Sequence, residues 1–226
     1  ILKTGVEVKY GLKIGQDISI QKLREQYDAV LITIGASTDK KLGLEGEDAD
    51  GVLSAVQFLR NVGKNEIMDL TGKEVAVIGG GNVSMDAVRT AKRLGAKKVS
   101  IVYRRRVADM TALAGEIEGA VAEGIELQTL KAPSALDIDE NNHIKGIYVT
   151  PQMVSAIKDG RASIKPTEEE DVYIPCDILV VAIGQNIETR HFEEAGIPVS
   201  RGKILTKSSG TFENMPGVFA GGDCAS

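Results

Sequence analysis

The chain has 226 residues, 42% of them hydrophobic and 26% charged, so it is long enough for one large domain or two small ones. Its net charge of −5 at pH 7 disfavours a general nucleic-acid partner. The two cysteines, Cys176 and Cys224, are far apart, and His143 and His191 are the two histidines; this argues against a disulfide framework, a dithiol centre or a metal site. The sequence contains no apolar run near the roughly 18 residues of a membrane helix and no visible secretory signal. We therefore expect a cytoplasmic protein with no membrane segment.

The N-terminal part of the chain predicts a small helix and one buried strand. The helix covers Ile20–Gln26, and the strand lies within Asp28–Gly35. A continuous apolar run of this length between Asp and Gly is typical of a strand buried on both faces. The polar, glycine-containing residues 37–51 suit a linker, and a second helix is predicted at Ser54–Asn61.

The next stretch has the pattern strand, glycine turn, helix, strand. Glu74–Ile78 is rich in β-branched residues, and three glycines, Gly79, Gly80 and Gly81, end it. From Asn82 to Leu94 the apolar residues recur with helical spacing, and Gly95 suits the end of that helix. Val99–Tyr103 is the second strand. The spacing predicts a βαβ unit of about 30 residues, with glycines where a dinucleotide-binding fold has them.

The glycines explain how such a turn could bind a pyrophosphate. Gly79 permits the tight turn, and Gly81 lets the backbone approach a phosphate without an intervening side chain. The amides of the first helical turn would point at the phosphates, at the positive end of the helix dipole. Ser84 takes the third position of the motif, where glycine or alanine is commoner. The alternative is a glycine-rich turn of an α/β sheet that binds no ligand.

Three arginines at the end of the second strand indicate which dinucleotide binds. A carboxylate at this position would bind the ribose 2′-hydroxyl of NAD. The chain instead has Arg104, Arg105 and Arg106, which suit a 2′-phosphate through charge-assisted hydrogen bonds. The sequence therefore favours NADP(H) over NAD(H). A solvated basic turn or a nucleic-acid patch is the alternative interpretation.

The second half of the chain predicts more sheet. A helix at Ala112–Glu123 and a strand at Ile125–Leu130 are predicted next. Residues 133–175 then contain three short alternating runs separated by Asn141-Asn142 and Asp159-Gly160, which indicate a β-meander; the runs are Leu136–Ile138, Ile144–Thr150 and Asp171–Ile174. Asp177–Gly184 then repeats the pattern of Asp28–Gly35, which suggests two nucleotide-binding domains of related design. Near the end, Gly217–Cys224 is a strand that enters a Gly-Gly-Asp turn.

Taken together, these segments resemble the NADPH-linked flavoproteins typified by the small subunit of bacterial glutamate synthase. The resemblance rests on VIGGGNVSMDAVRTAKRLGA, VYRRR, the two Asp-to-Gly strands and GVFAGGDCAS, which cover most of the chain. It implies an α/β fold in which a Rossmann-like NADPH-binding domain with a β-meander is inserted into a truncated, second Rossmann-like FAD domain. The implied domains are an FAD-domain remnant and linker at 1–45, the NADPH domain at 46–186 and a second FAD-domain remnant at 187–226.

The resemblance also assigns candidate cofactor-binding residues. The glycine turn and the first helical turn would hold the NADPH pyrophosphate, and Ala182–Gly184, the last residues of the Asp177–Gly184 run, would approach the nicotinamide. Two arginines would bind the 2′-phosphate. Residues at the ends of the Asp28–Gly35 and Gly217–Cys224 segments would lie near FAD. The full set is Gly79, Gly80, Gly81, Asn82, Val83, Arg104, Arg105, Ala182, Ile183, Gly184, Thr33, Gly35, Gly222 and Asp223, with Asp223 at the ribityl chain.

The resemblance implies a hydride transfer between NADPH and FAD, with electrons relayed to iron–sulfur centres or a partner subunit. We expect no side chain to act as acid, base or nucleophile. The first glycine-rich loop of the family should precede Ile1, and the cysteine-rich iron–sulfur segment is absent, so we expect part of a longer enzyme, inactive alone and able to dimerise. A non-catalytic dinucleotide-binding or assembly module is the alternative, and nucleic-acid binding through Arg104–Arg106 is a third hypothesis.

Overall fold

The computed structural model describes residues 2–225, which divide into two compact units. One unit is Asp39–Gly184; the other combines the segments that end at Thr38 and begin at Gln185. The elements in chain order are a 3₁₀ helix (Leu2–Thr4), α1 (Ile20–Gln26), β1 (Val30–Ile32), β2 (Thr38–Asp39), β3 (Val52–Ser54), α2 (Ala55–Gly63), β4 (Glu74–Ile78), α3 (Asn82–Arg93), β5 (Lys98–Tyr103), a 3₁₀ helix (Val107–Asp109), α4 (Ala114–Ala122), β6 (Glu126–Thr129), β7 (Lys131–Ile138), β8 (Ile144–Lys158), β9 (Arg161–Pro166), β10 (Val172–Pro175), β11 (Ile178–Val181), β12 (Gln185–Asn186), α5 (Arg190–Glu194), β13 (Val199–Ser200), β14 (Lys203–Ile204), β15 (Val218–Ala220) and a 3₁₀ helix (Gly222–Cys224).

The Asp39–Gly184 unit is built on a parallel sheet of five strands in the order β3-β11-β4-β5-β6. Each neighbouring pair is parallel, so the carboxyl ends of all five strands lie along one edge. The predicted β-strand–helix–β-strand unit is present: β4 covers the predicted range, α3 ends one residue early, and β5 starts one residue early. The structure confirms the α/β class and the parallel sheet.

Alternate residues of the central strands pack against two different layers. Val75 and Val77 of β4 join a core with the helices, where Phe58, Met85 and Ala120 are buried. Ala76 and Ile78 of the same strand face the antiparallel layer instead. Strand β11 shows the same alternation and is buried along its whole length. The sheet is therefore covered on both faces, which explains the continuous apolar runs of its strands.

The second layer is the predicted meander, with strand order β10-β8-β7. Ile147 of β8 lies opposite Leu136 and Ile174, and all three belong to the core beneath the parallel sheet. Strand β8 then continues beyond Pro151 and pairs with β9. Asp159 and Gly160 turn this hairpin with positive φ angles of 51° and 77°, as a type I′ turn requires. The sequence did not predict the second half of β8 or strand β9.

The other unit contains a small parallel sheet of two strands, in which β1 pairs with β15. Ile32 and Val218 enter a core with Phe192 and Ile197. The predicted strand within Asp28–Gly35 is shorter than expected, and burial on both faces was wrong, because Leu31 is 66% exposed. Its side chain lies on the face of β1 opposite to the core residue Ile32, and no described layer covers that face.

Candidate nucleotide-binding site

The glycine turn after β4 begins at a close contact between two strand ends. Gly79 has a φ angle of +148°, and a Cβ at this position would collide with the carbonyl oxygen of Ala182 and with Oγ of Ser84. The Gly79 amide donates to the Val102 carbonyl (3.1 Å), so the same residue contacts the neighbours on both sides. Glycine is required here by packing. Ser84, fully buried, fits the third motif position with its hydroxyl 3.4 Å from the Ala182 carbonyl oxygen.

Gly80 is held against an aromatic ring. A Cβ there would lie 2.6 Å from the ring of Tyr103, whose hydroxyl donates to the Asp109 carbonyl (2.7 Å). The Gly80 carbonyl accepts from the amides of Thr111 and Ala112 at 2.9 and 3.1 Å. This places the segment before α4 beside the glycine turn. Tyr103 and Thr111 shape the site, although sequence reasoning did not single them out.

The turn ends in a helix N-terminus with unpaired amides. Gly81 caps α3 without a side-chain hydrogen bond, and a Cβ on it would meet only Oγ1 of Thr111, at 3.4 Å. Within residues 2–225 the amides of Gly81, Asn82 and Val83 donate to no acceptor. Oδ1 of Asn82 accepts from the Leu113 amide (3.0 Å), which fixes the start of α4 nearby. Three free amides at the positive end of a twelve-residue helix fit a pyrophosphate.

The three arginines after β5 have different environments. Arg104 is exposed, and its side chain has no hydrogen bond or ion pair within the described part of the chain. Arg105 is half-buried and donates from Nε to the Ala162 carbonyl at 3.0 Å, which leaves its two terminal nitrogens for a ligand. Arg106 is paired with Asp109 through Nε–Oδ2 (2.8 Å) and Nη2–Oδ1 (3.0 Å). The arrangement therefore offers Arg104 and Arg105, and not Arg106, to a 2′-phosphate.

Parallel pairing brings the predicted residues of this unit to one edge of the sheet. Ile78 lies opposite both Val102 and Val181, so the segments after β4, β5 and β11 emerge side by side. The structure thus brings the glycine turn, the arginines and Ala182–Gly184 together, as expected at the carboxyl edge of an open α/β sheet.

The segment after β11 is partly open. Ile183 is 39% exposed, and Gly184 has a φ angle of +111°. The Gly184 carbonyl accepts from the Lys40 amide at 3.4 Å, and the Lys40 side chain lies beside Gly184. Lys40 is a further cation near this edge, and nothing in its sequence context indicated it.

The remaining candidates lie in the other unit, also at a carboxyl edge. Because β1 and β15 are parallel, Thr33 and Gly35 follow one strand where Gly222 and Asp223 follow its neighbour. The Gly221 amide donates to the Ile32 carbonyl (3.1 Å) and holds the two strand ends together. Thr33 and Asp223 are exposed, and Gly35 and Gly222 have positive φ angles of 63° and 76°.

Metal sites, membrane-spanning helices and disulfides are the other features that bear on function. In residues 2–225, no cluster of histidine, cysteine, aspartate and glutamate could hold a metal ion. The same part of the chain has no helix long and apolar enough to cross a membrane. Cys176 and Cys224 are free and buried.

Comparison with known proteins gives a consistent set of similar chains. The pyridine nucleotide-disulphide oxidoreductase family matches residues 3–226. The NADP(+)-dependent formate dehydrogenase subunit beta of Moorella thermoacetica is 39% identical over 97% of this chain and 31% of its own length. The NADPH glutamate synthase small chain of Escherichia coli (strain K12) is 33% identical over 97% of this chain and 50% of its own length. The chain therefore spans about a third to a half of these curated relatives.

Solved structures share the fold at lower identity. FprA of Mycobacterium tuberculosis in complex with NADPH superposes with a TM-score of 0.74 at 18% identity, covering 93% of this chain and 61% of that chain. At this identity the likeness concerns the fold.

Proposed function

Because this chain belongs to the pyridine nucleotide-disulphide oxidoreductase family, we propose that it binds NADPH through Asp39–Gly184 and that the whole protein is a flavoprotein oxidoreductase. The names of its relatives support this: one is NADP(+)-dependent, one is an NADPH glutamate synthase chain, and FprA was solved with NADPH. One observation carries the proposal. Unpaired amides at the start of α3 lie at the same sheet edge as two arginines with free guanidinium nitrogens.

Different residues of this unit would bind different parts of NADPH. The amides of Gly81, Asn82 and Val83 would hold the pyrophosphate at the helix N-terminus. Arg104 and Arg105 would bind the 2′-phosphate, because guanidinium groups form strong, often bidentate hydrogen bonds with phosphates. The backbone of Ala182–Gly184 would lie beside the nicotinamide.

The other unit would contact the flavin. When both cofactors are bound, NADPH supplies a hydride that FAD accepts. Exposed Thr33 and Asp223, with the adjacent Gly35 and Gly222, would contact FAD, and a carboxylate at Asp223 can accept hydrogen bonds from ribityl hydroxyls. This chain would position the cofactors without a side-chain acid, base or nucleophile.

We also infer that electrons leave the flavin towards a partner. Relatives carry names of subunits and chains of larger enzymes, which supports a partner subunit. An iron–sulfur centre in that partner, or in another part of the same protein, is the acceptor we propose. The cytoplasmic location and the dimerisation stay predictions.

Coenzyme preference tests the binding proposal. Hydrogen bonds to charged groups contribute about 1.5–3 kcal/mol each, and about 1.4 kcal/mol is a factor of ten. Arg104→Ala or Arg105→Ala should therefore weaken NADPH binding by roughly tenfold to a hundredfold. NADH lacks the 2′-phosphate, so its affinity should change far less. Titration calorimetry of both nucleotides measures the difference.

Arg93→Ala is the matched control. Arg93 is an exposed arginine on the last turn of α3, at the opposite end of the helix from the glycine turn, and it pairs with Glu123 at 3.2 Å. This variant should leave both affinities unchanged. The assignment would be refuted if the native chain binds NADPH and NADH equally, or if Arg104→Ala and Arg105→Ala weaken the binding of both nucleotides to the same extent. A whole protein that binds NADPH but carries no flavin would support the non-catalytic alternative.

A further inference from the structure

Asp109 is a buried carboxylate close to the arginines but outside the set that sequence reasoning proposed. Its side chain is fully buried, and both oxygens accept hydrogen bonds from Arg106. Oδ2 also accepts from the Arg106 amide (3.2 Å), and Oδ1 accepts from the Ala162 amide (2.9 Å). A buried carboxylate that accepts this many hydrogen bonds is held in one position and orientation.

These contacts also set the charge of the loop. Hydrogen bonds from the Arg106 guanidinium and the Ala162 amide hold the pKa of Asp109 well below its usual range. The carboxylate is therefore ionised at neutral pH and cancels the charge of Arg106. Two of the three arginines remain as cations for a ligand.

The contact with Ala162 connects Asp109 to Arg105. Ala162 lies in β9, 53 residues after Asp109, and is buried. Its amide donates to Asp109, while its carbonyl accepts from Nε of Arg105 (3.0 Å). The backbone amide and the carbonyl of Ala162 thus both bind side chains of the arginine loop. The orientation of Arg105 therefore depends on the position of Ala162.

We propose that Asp109 is a positioning residue for recognition of the 2′-phosphate: it holds Arg106 and Ala162 so that Arg105 presents its terminal nitrogens to the ligand. This inference rests on the proposed function. It assigns to the β8–β9 hairpin the task of orienting an arginine of the site. A guanidinium whose direction is fixed in advance loses less freedom when it binds a phosphate.

Removal of Asp109 has two opposing consequences. The loss of a negative charge near the site would strengthen phosphate binding, and the loss of orientation would weaken it. Removal of Asp109 leaves the positive charge of Arg106 uncompensated, but the Arg106 side chain is 33% exposed, so solvent and ions screen the gain in attraction for the phosphate. Loss of orientation should therefore dominate.

The test compares two nucleotides that differ only in the 2′-phosphate. Adenosine 2′,5′-bisphosphate and adenosine 5′-monophosphate are titrated by calorimetry into the native chain, Asp109→Ala and Asp109→Asn. We expect Asp109→Ala to weaken bisphosphate binding on the order of tenfold and to leave monophosphate binding nearly unchanged. Asp109→Asn keeps one acceptor for the Ala162 amide, so its loss should be smaller. Thermal unfolding of each variant establishes that it is folded.

Glu123→Ala is the control for loss of a carboxylate–arginine pair. Glu123 accepts from Nε of Arg89 at 2.9 Å on the helical layer. The Glu123→Ala variant should be less stable than the native chain, but the ratio of its affinities for the bisphosphate and the monophosphate should not change. An equal loss for both nucleotides, no loss, or a gain in bisphosphate affinity in Asp109→Ala would overturn the role of Asp109. If the native chain itself shows no preference for the bisphosphate, the proposed function fails; if the preference survives in both variants, only this inference fails.

Discussion

Strands β1 and β11 have the same sequence pattern and different environments. Both begin after an aspartate, continue with aliphatic residues and end before a glycine, Gly35 or Gly184. Strand β11 lies inside a five-stranded sheet and is buried along its length. Strand β1 pairs with β15 alone in its sheet, and Leu31 is 66% exposed.

The difference shows what an apolar run specifies. It predicts a strand and the position of its carboxyl end, which is where the candidate site residues follow in both units. Burial depends on the layers that cover the strand, and those come from distant parts of the chain. In the Asp39–Gly184 unit the helices cover one face and the meander the other.

Equivalent substitutions in the two strands should give the largest contrast. Val180 of β11 and Leu31 of β1 occupy the same place in the pattern, with exposures of 0% and 66%. Val180→Ala should cost about 2 to 3 kcal/mol of unfolding free energy through lost burial and a cavity. Leu31→Ala should change it by no more than about 0.5 kcal/mol. Urea denaturation measures both, and similar losses would contradict the different burial of the two strands.

The two cysteines should give a smaller contrast. Burial, with added effects of Asp177 and Glu74, raises the pKa of Cys176 to about 12. Only the thiolate is alkylated, so Cys176 should react slowly at pH 8 and faster as the pH rises towards that value. Cys224 is buried in the unit with the two-stranded sheet, which should open more readily.

We therefore expect native Cys224 to react with iodoacetamide before Cys176, by roughly tenfold at pH 8. Peptide mass spectrometry of a time course measures the two rates separately. Reaction of Cys176 first would show that the larger unit opens more easily. Denatured protein, in which the rates should converge, is the control.

Local signals account for the parts of the fold that the sequence predicted. Three glycines follow Glu74–Ile78, and Gly95 follows the end of α3. The sequence therefore predicted the limits of each element of the βαβ unit to within one residue of those in the structure. The family resemblance is confirmed by the match over residues 3–226. Assignment of individual residues to NADPH or FAD stays a prediction.

Contacts between distant residues account for what the sequence did not predict. The bond between Asp109 and Ala162 spans 53 residues, and no periodic pattern indicates it. The continuation of β8 past Pro151 depends on its pairing with β9. The sequence also does not distinguish the environments of the three consecutive arginines, Arg104, Arg105 and Arg106. Only the folded neighbours show that Arg106 is already paired.

The central claim is that the N-terminus of α3 and the free arginines together bind NADPH. Nitrogen-15 NMR during titration with NADPH and NADH tests it at individual groups. Both nucleotides should shift the backbone amides of Gly81, Asn82 and Val83, because both contain the pyrophosphate. Only NADPH should shift the guanidinium signals of Arg104 and Arg105. The claim is contradicted if the three amides do not respond to either nucleotide, or if both nucleotides shift the arginines equally.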